Sequence, residues 1–343
     1  MMVTKARDLA IAALCAWLGY MVFLWIGFPA APLTGATAGI TLAALAGLKA
    51  DLPVPLRNAC ILGLGINIGT AVTPEVLQGM LAWPLSLAIL TLCVLAILFA
   101  SAALLQRLFG YDRQTAMLAA APGHLSYVLG IALASGRDVP AIAVIQSIRV
   151  LILTLCVPPL ISVVFGATGV SVLPENVMGL SSLLGTVLLS VPMALVFARI
   201  GVPAAWLIAG MVVSATGHGS GFTPGRLPDA MAVTALMAMG ILIGSRFASV
   251  PARQLGRYIL PGLMLTVVAI GMCLVGAGVA LLMLGVPPGL LTVAFAPGGV
   301  EAMAAIALSL GYDPTFVAGH HVFRLLVLSV VMPLVVGRVG RQV

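Results

Sequence analysis

The sequence predicts an all-α polytopic membrane protein built from two inverted repeats, each with five transmembrane helices and one re-entrant helical hairpin. Three observations carry this reading: the composition, an internal duplication at a fixed offset, and the placement of the basic residues. Of 343 residues, 62% are hydrophobic and only 7% are charged, with a mean hydropathy of +1.22. Water-soluble domains do not have that balance; chains whose helices lie in lipid do. Its 38 glycines suit closely packed membrane helices, and the period-2 alternation of a lipid-facing barrel is missing.

The duplication is read by shifting the chain 175 residues, which lays Gly110–Leu160 on Gly285–Val335 without a gap. Fifteen of the 51 positions are then identical. Rare residue types carry the weight, because Ala, Leu and Val match by chance. They are Pro122/Pro297, Asp138/Asp313, Arg149/Arg324 and Pro158/Pro333, with Gly123/Gly298 and Gly136/Gly311 beside them. A repeat of this length fixes the architecture before any element is considered.

A hydrocarbon core of ~30 Å takes about 20 helical residues. In the first half the apolar runs are Leu9–Phe28, Pro32–Leu48, Arg57–Val76, Trp83–Leu108, a broken run Asp112–Ser135, and Pro140–Phe165. In the second they are Val177–Ile200, Pro203–Ala215, Ala230–Phe247, Tyr258–Leu284, a broken run Gly289–Leu310, and Pro314–Val336. The first run, after Lys5, Arg7 and Asp8, is too long for a signal-peptide core and shows no cleavage site, so it reads as a retained helix. Each broken run carries Pro-Gly at its middle, which leaves pieces of about ten residues that reach only ~15 Å each. They therefore read as hairpins that dip in and return.

The charges support that choice. With hairpins, each half has five spans and the second half is inverted. Lys5, Arg7, Lys49, Arg57, Arg107, Arg113, Arg137, Arg199, Arg246, Arg253, Arg257, Arg338 and Arg341 then all face the cytoplasm, and Arg226 alone lies outside. Positive residues concentrate on the cytoplasmic side of membrane proteins, so ten spans are expected, with both termini cytoplasmic. The first repeat takes residues 1–170 with its hairpin at about 112–136, and the second takes 171–343 with its hairpin at about 288–311. The net charge of +7 follows from topology and calls for no nucleic acid.

Two arginines remain inside spans. Arg149 and Arg324 each lie eleven residues past an aspartate, Asp138 or Asp313, or ~16 Å at 1.5 Å per residue, near the midplane. The hairpin tips, Pro122-Gly123-His124 and Pro297-Gly298-Gly299, reach the same depth. Interrupted segments at matching positions of inverted repeats mark the binding site of a secondary transporter. The second helix of each hairpin aims its free N–H groups and positive dipole end at the tip. Two arginines and two helix N-termini suit a small organic anion; the other reading is that each Arg pins the carbonyls of its broken helix. Gln146 and His321 stand three residues before the arginines and share their helix face. His320, at i+4 from Arg324, borders it and is a candidate proton carrier. Glu301 is the acidic residue within the broken runs and is read either as a coupling residue for a proton or cation or as a helix cap. The first tip has His124, Ser126 and Tyr127 nearby and no carboxylate.

Asp138 and Asp313 read as helix caps. Gly65/Gly69 and Gly240/Gly244 read as helix-packing seams, with Asn67 a weaker polar candidate. The five cysteines, 15, 60, 93, 156 and 273, show no metal or disulfide spacing. No catalytic residue, metal ligand or cofactor is assigned, and no enzymatic activity is expected.

The repeated Ala-Pro-Gly … Gly-x-Asp … Arg … Pro pattern resembles the bacterial AbrB-duplication membrane family, and the resemblance runs along essentially the whole chain. Ala296-Pro297-Gly298-Gly299 looks like that family's repeat signature; the first copy departs from it at His124. Members carry names such as "AbrB family transcriptional regulator" and ammonia monooxygenase. The layout is also similar to the elevator-type carriers of the ion-transporter superfamily. Together these imply a transporter in the bacterial inner membrane whose partners are a small-molecule anion and the lipid bilayer, with a homodimer compatible. A membrane protein acting in regulation of gene expression is the alternative, and a membrane oxidoreductase is the third.

Overall fold

The computed structural model describes residues 2–48, 52–72, 83–123, 125–166, 175–248 and 252–337. His124 at the first tip, together with Lys49, Arg338 and Arg341 of the charge pattern, lies outside the described residues. Helices follow one another along the chain: α1 (Met2–Trp25), α2 (Ala31–Leu45), α3 (Val54–Gly69), α4 (Trp83–Phe109), α5 (Arg113–Ala120), α6 (Leu125–Ala134) and α7 (Val139–Val164). The second half gives α8 (Leu180–Arg199), α9 (Ala205–Gly219), α10 (Asp229–Gly244), α11 (Ala252–Leu284), α12 (Pro288–Phe295), α13 (Val300–Ser309) and α14 (Pro314–Gly337).

Among the described residues, seven helices are long and apolar enough to cross a membrane. They are Arg7–Trp25, Trp83–Phe109, Val139–Val164, Leu180–Arg199, Asp229–Phe247, Leu255–Leu284 and Pro314–Val336. The chain is a multi-pass membrane protein. Three of the ten expected spans come out short: α2 and α9 have 15 residues each and α3 has 16, about 22–24 Å at 1.5 Å per residue. The cause is local. Ala30 and Ala204, just before α2 and α9, hold left-handed backbone at φ 54° and 51°, so neither helix can extend further toward its N-terminus. The run read as 57–76 begins three residues earlier, behind Pro53, and ends at Gly69, where the Thr70 hydroxyl donates to the Asn67 carbonyl at 2.7 Å.

Helix boundaries recur between the halves at an offset of 175 residues. Residues 113–120 answer 288–295, 125–134 answer 300–309, and 54–69 answer 229–244. The physical reason is in the shared punctuation. Pro-Gly cannot continue a helix, so both broken runs split at the same place.

Aspartates start three helices. Asp112 accepts from the Gln114 and Thr115 amides, both at 3.1 Å, and so caps α5. Asp138 accepts from the Ala141 amide at 3.0 Å, and Asp313 from the Thr315 and Phe316 amides at 2.8 and 3.2 Å. Burial raises the Asp313 carboxyl, against the pull of those amides. For Asp112, burial also pushes upward, but hydrogen bonds from Thr115 and the charge of Arg137, 3.3 Å away, outweigh it and hold the carboxyl below its ordinary value. A depressed carboxylate contributes stability above its unfolded pKa, about 3.9, and loses it as pH falls through the folded value. Asp112→Ala is therefore expected to cost about 1 kcal/mol at neutral pH. The gap between mutant and wild-type denaturation midpoints should close below about pH 3.9.

The helices group into two compact units. One comprises Met1–Leu81, Thr154–Ala248 and Val300–Ala318; the other comprises Ala82–Leu153, Ser249–Gly299 and Gly319–Val343. Each draws on both halves of the sequence. In the first unit α1 lies on α2 and α8 on α9, while α2 packs against α10 and α3 against α9. Glycines set these seams. A Cβ at Gly240 would sit 2.8 Å from the Leu33 carbonyl oxygen, one at Gly210 would sit 2.5 Å from that of Leu62, and one at Gly65 would collide with that of Leu207. In the second unit α4 packs on α5 and α11, α11 on α12, and α5 on α6.

Candidate functional site

The second unit contains both arginines, both Pro-Gly tips, Gln146 and the two histidines. Each hairpin's first helix ends at its Ala-Pro-Gly, where the last carbonyls of the helix lose their intrahelical partners. An arginine from a long helix meets them. Arg149, on α7, donates from Nη1 to Ala120 O at 3.3 Å and from Nη2 to Ala121 O at 2.9 Å. Arg324, on α14, donates from Nη1 to Ala296 O at 2.7 Å and from Nη2 to Gly298 O. A cation at a helix C-terminus also complements the negative end of the helix dipole. Each guanidinium fork therefore caps a broken helix. Both side chains are 1% exposed, and the Nε of each has no hydrogen-bond partner among the described residues.

The residue three positions earlier repeats the same move higher on the broken helix. Gln146 Nε2 donates to Leu118 O at 2.9 Å, and His321 Nε2 lies 3.1 Å from Val293 O. A ring nitrogen facing a carbonyl must carry the proton. His321 Nδ1 is then an acceptor, and it is buried without a partner among the described residues. His320 turns the other way, with Nε2 2.7 Å from Ser86 Oγ. Because Ser86 already donates to Trp83 O at 2.8 Å, His320 Nε2 is assigned as the donor to it. Its ring rests 5.7 Å from Trp83 and 6.3 Å from Phe295, centroid to centroid.

The two tips come together. A Cβ built on Gly123 would lie 2.7 Å from Arg324 Nη2 and 2.9 Å from Gly298 O. Gly123 has φ +91°, so a glycine is required there twice over. Pro122, Pro297 and Gly298 are buried, while Gly123 and Gly299 retain partial exposure. This places both arginine side chains, each bound to backbone carbonyls, and both tip glycines in one neighbourhood.

Glu301 is not part of that neighbourhood's unit. It is half-buried in the first turn of α13, in the first unit, within electrostatic reach of Arg246. The Glu301–Arg246 relation was invisible in the sequence, where Arg246 reads only as a topology charge. In the same unit Asn67 is 2% exposed with its Oδ1 unpaired among the described residues. The second unit also holds a pair of thiols that spacing did not suggest. Cys93 and Cys273 are buried in side-chain contact, and Cys273 donates to Phe295 O, the end of α12, at 2.8 Å.

A family profile described as transition state regulatory protein AbrB matches residues 33–340 of this chain. The uncharacterized protein YhjN of Bacillus subtilis (strain 168) is 26% identical over 290 residues, which covers 79% of this chain and 75% of the relative.

Proposed function

This chain belongs to the family described as transition state regulatory protein AbrB, and from that premise we propose that it is a secondary transporter for a small organic anion. The observation that carries the reading is the meeting of two broken-helix tips beside two buried arginines in a multi-pass helical protein. The anion binds at the glycine backbones of Pro122-Gly123 and Pro297-Gly298-Gly299. Arg149 and Arg324 hold the tips open by capping the preceding carbonyls, and they supply the field that attracts negative charge. Gln146 and His321 brace the same helices. A proton or cation couples through Glu301 or a histidine.

The proposed architecture is ten spans in two inverted repeats with re-entrant hairpins, in a bacterial inner membrane and with cytoplasmic termini. The recurring helix boundaries and the exchanged seams, α2 on α10 and α3 on α9, support it. The regulatory name attached to the family offers a second reading, in which the chain acts through a partner on gene expression. The two separate experimentally. Proteoliposomes holding the purified chain should accumulate a labelled organic anion under an imposed proton or sodium gradient. If no anion in a broad panel is taken up while a cysteine placed at Glu175 labels from outside intact cells, the topology stands and the transport reading falls.

A further inference from the structure

Away from the tips, the second unit encloses a cavity of ≈ 460 Å³ between the first hairpin and the C-terminal part of α14, a volume typical of small-molecule sites. Its apolar lining is Ile131, Pro333 and Val336; its polar lining is Gln114, Tyr127, Ser135 and Arg137. Gln114 is 6% exposed. Its Nε2 donates to Val336 O at 3.3 Å, which fixes the orientation of the amide and leaves Oε1 buried with no partner among the described residues. Arg137 gives Nη1 to Asp112 at 3.3 Å, and its Nε is buried and unpartnered in the same sense. Tyr127 OH donates to Ser329 O at 3.2 Å, and Ser135 Oγ to Ile131 O at 2.7 Å.

An unpaired buried acceptor costs about 1–3 kcal/mol, and here a cationic donor shares the cavity with it. We propose that this cavity binds a small carboxylate bearing a hydroxyl or amino group. Its carboxylate pairs with Arg137, and its hydroxyl or ammonium donates to Gln114 Oε1. The site rests on the transport reading only for its role, which is a waiting station for the anion on one side of the tips; binding itself is independent of transport. Discrimination follows from the lone acceptor. A plain carboxylate satisfies Arg137 but leaves Gln114 unpaired, and a site built to pair a hydroxyl rejects the analogue that lacks one.

The test is a thermal-shift titration of the purified full chain with malate, aspartate and succinate, three probes of one length that differ in the donor group. Malate or aspartate should raise the midpoint and bind at least tenfold more tightly than succinate. Arg137→Gln and Gln114→Met should each lose tenfold or more of that affinity. Asp112→Asn, which breaks the same ion pair but leaves the guanidinium in place, should keep it, as should Arg324→Lys. Equal shifts with all three probes, no shift with any at 10 mM (roughly a thousand times a ten-micromolar constant), or affinity retained in both cavity variants would each overturn the proposal. Loss of transport in Arg324→Gln with malate binding intact would leave this site standing apart from the tips.

Discussion

Arg324→Met is expected to cost about 1–3 kcal/mol of stability, from one orphaned buried carbonyl. The carbonyl is that of Gly298, and Arg324 is 1% exposed, so water does not replace its guanidinium; the Ala296 carbonyl keeps the Gly298 amide at 2.9 Å. Arg324→Lys keeps the charge but offers no planar fork, and one of the two carbonyls then loses its side-chain donor. Thermal melts in detergent should order wild type above lysine above methionine. Anion uptake by the lysine variant separates the two roles that the sequence leaves open. If the arginine only pins the tip, uptake should track stability and be restored by lowering the assay temperature. If it also attracts the anion, the charge-retaining variant should transport, and Arg324→Gln, of comparable hydrogen-bonding capacity, should not.

Gly123→Ala is the second change with a large expected effect. The left-handed conformation costs an L-residue roughly 1–2 kcal/mol, and overpacking adds about 1–3 kcal/mol. The added methyl points at Arg324 Nη2 and Gly298 O, 2.7 and 2.9 Å away. Neither neighbour can retreat cheaply, because one is backbone and the other is tied to that backbone. Separation of the tips should follow, with loss of folded protein on size exclusion or, where the fold survives, loss of uptake. Gly130→Ala on the same hairpin has nothing within 4 Å of the new methyl and should behave as wild type. Equal behaviour of the two variants would remove the tip contact from the account.

Much of the fold was legible because its cues are local. Proline followed by glycine breaks a helix wherever it falls, so the two halves of each broken run could be placed within a residue or two. The caps at Asp138 and Asp313 were legible for the same reason. The seams at Gly65 and Gly240 were legible from their spacing, though not their partners. Three features were hidden. The left-handed turns at Ala30 and Ala204 carry no glycine to announce them. The cap at Asp112 stands in the same Gly-x-Asp signal, Gly110-Tyr111-Asp112, but at the start of a broken run instead of a span. The compact units cut across the repeats, since each is assembled from both halves by long-range packing.

For the candidate site, the sequence placed the residues and missed how they are used. Equal distance from Asp138 and Asp313 put both arginines at one depth, and the structure brings Arg324 to Gly123. That each Arg pins the carbonyls of its broken helix was one of the two readings left open by the sequence; which carbonyls each fork meets is what no spacing conveys. That depends on where α5 and α12 end in space. The histidines were equally opaque: adjacent in sequence, they serve Ser86 on α4 and Val293 on α12, two different helices. Glu301 drew attention as the acidic residue of the broken runs, but its electrostatic neighbour Arg246 lies 55 positions away in the chain.

The glycine seams of the first unit have a thermodynamic corollary. At Gly65, Gly210 and Gly240 one helix backbone lies directly on another, and in a bilayer such contacts are held by dispersion and backbone proximity, with no water released. Heat-capacity changes on unfolding come from apolar surface passing into water. Parting these helices within lipid moves no such surface, so their association should carry almost no heat-capacity signature. The stability of that unit should then vary with temperature nearly along a straight line, without the cold-side decline that curves the stability of water-soluble cores.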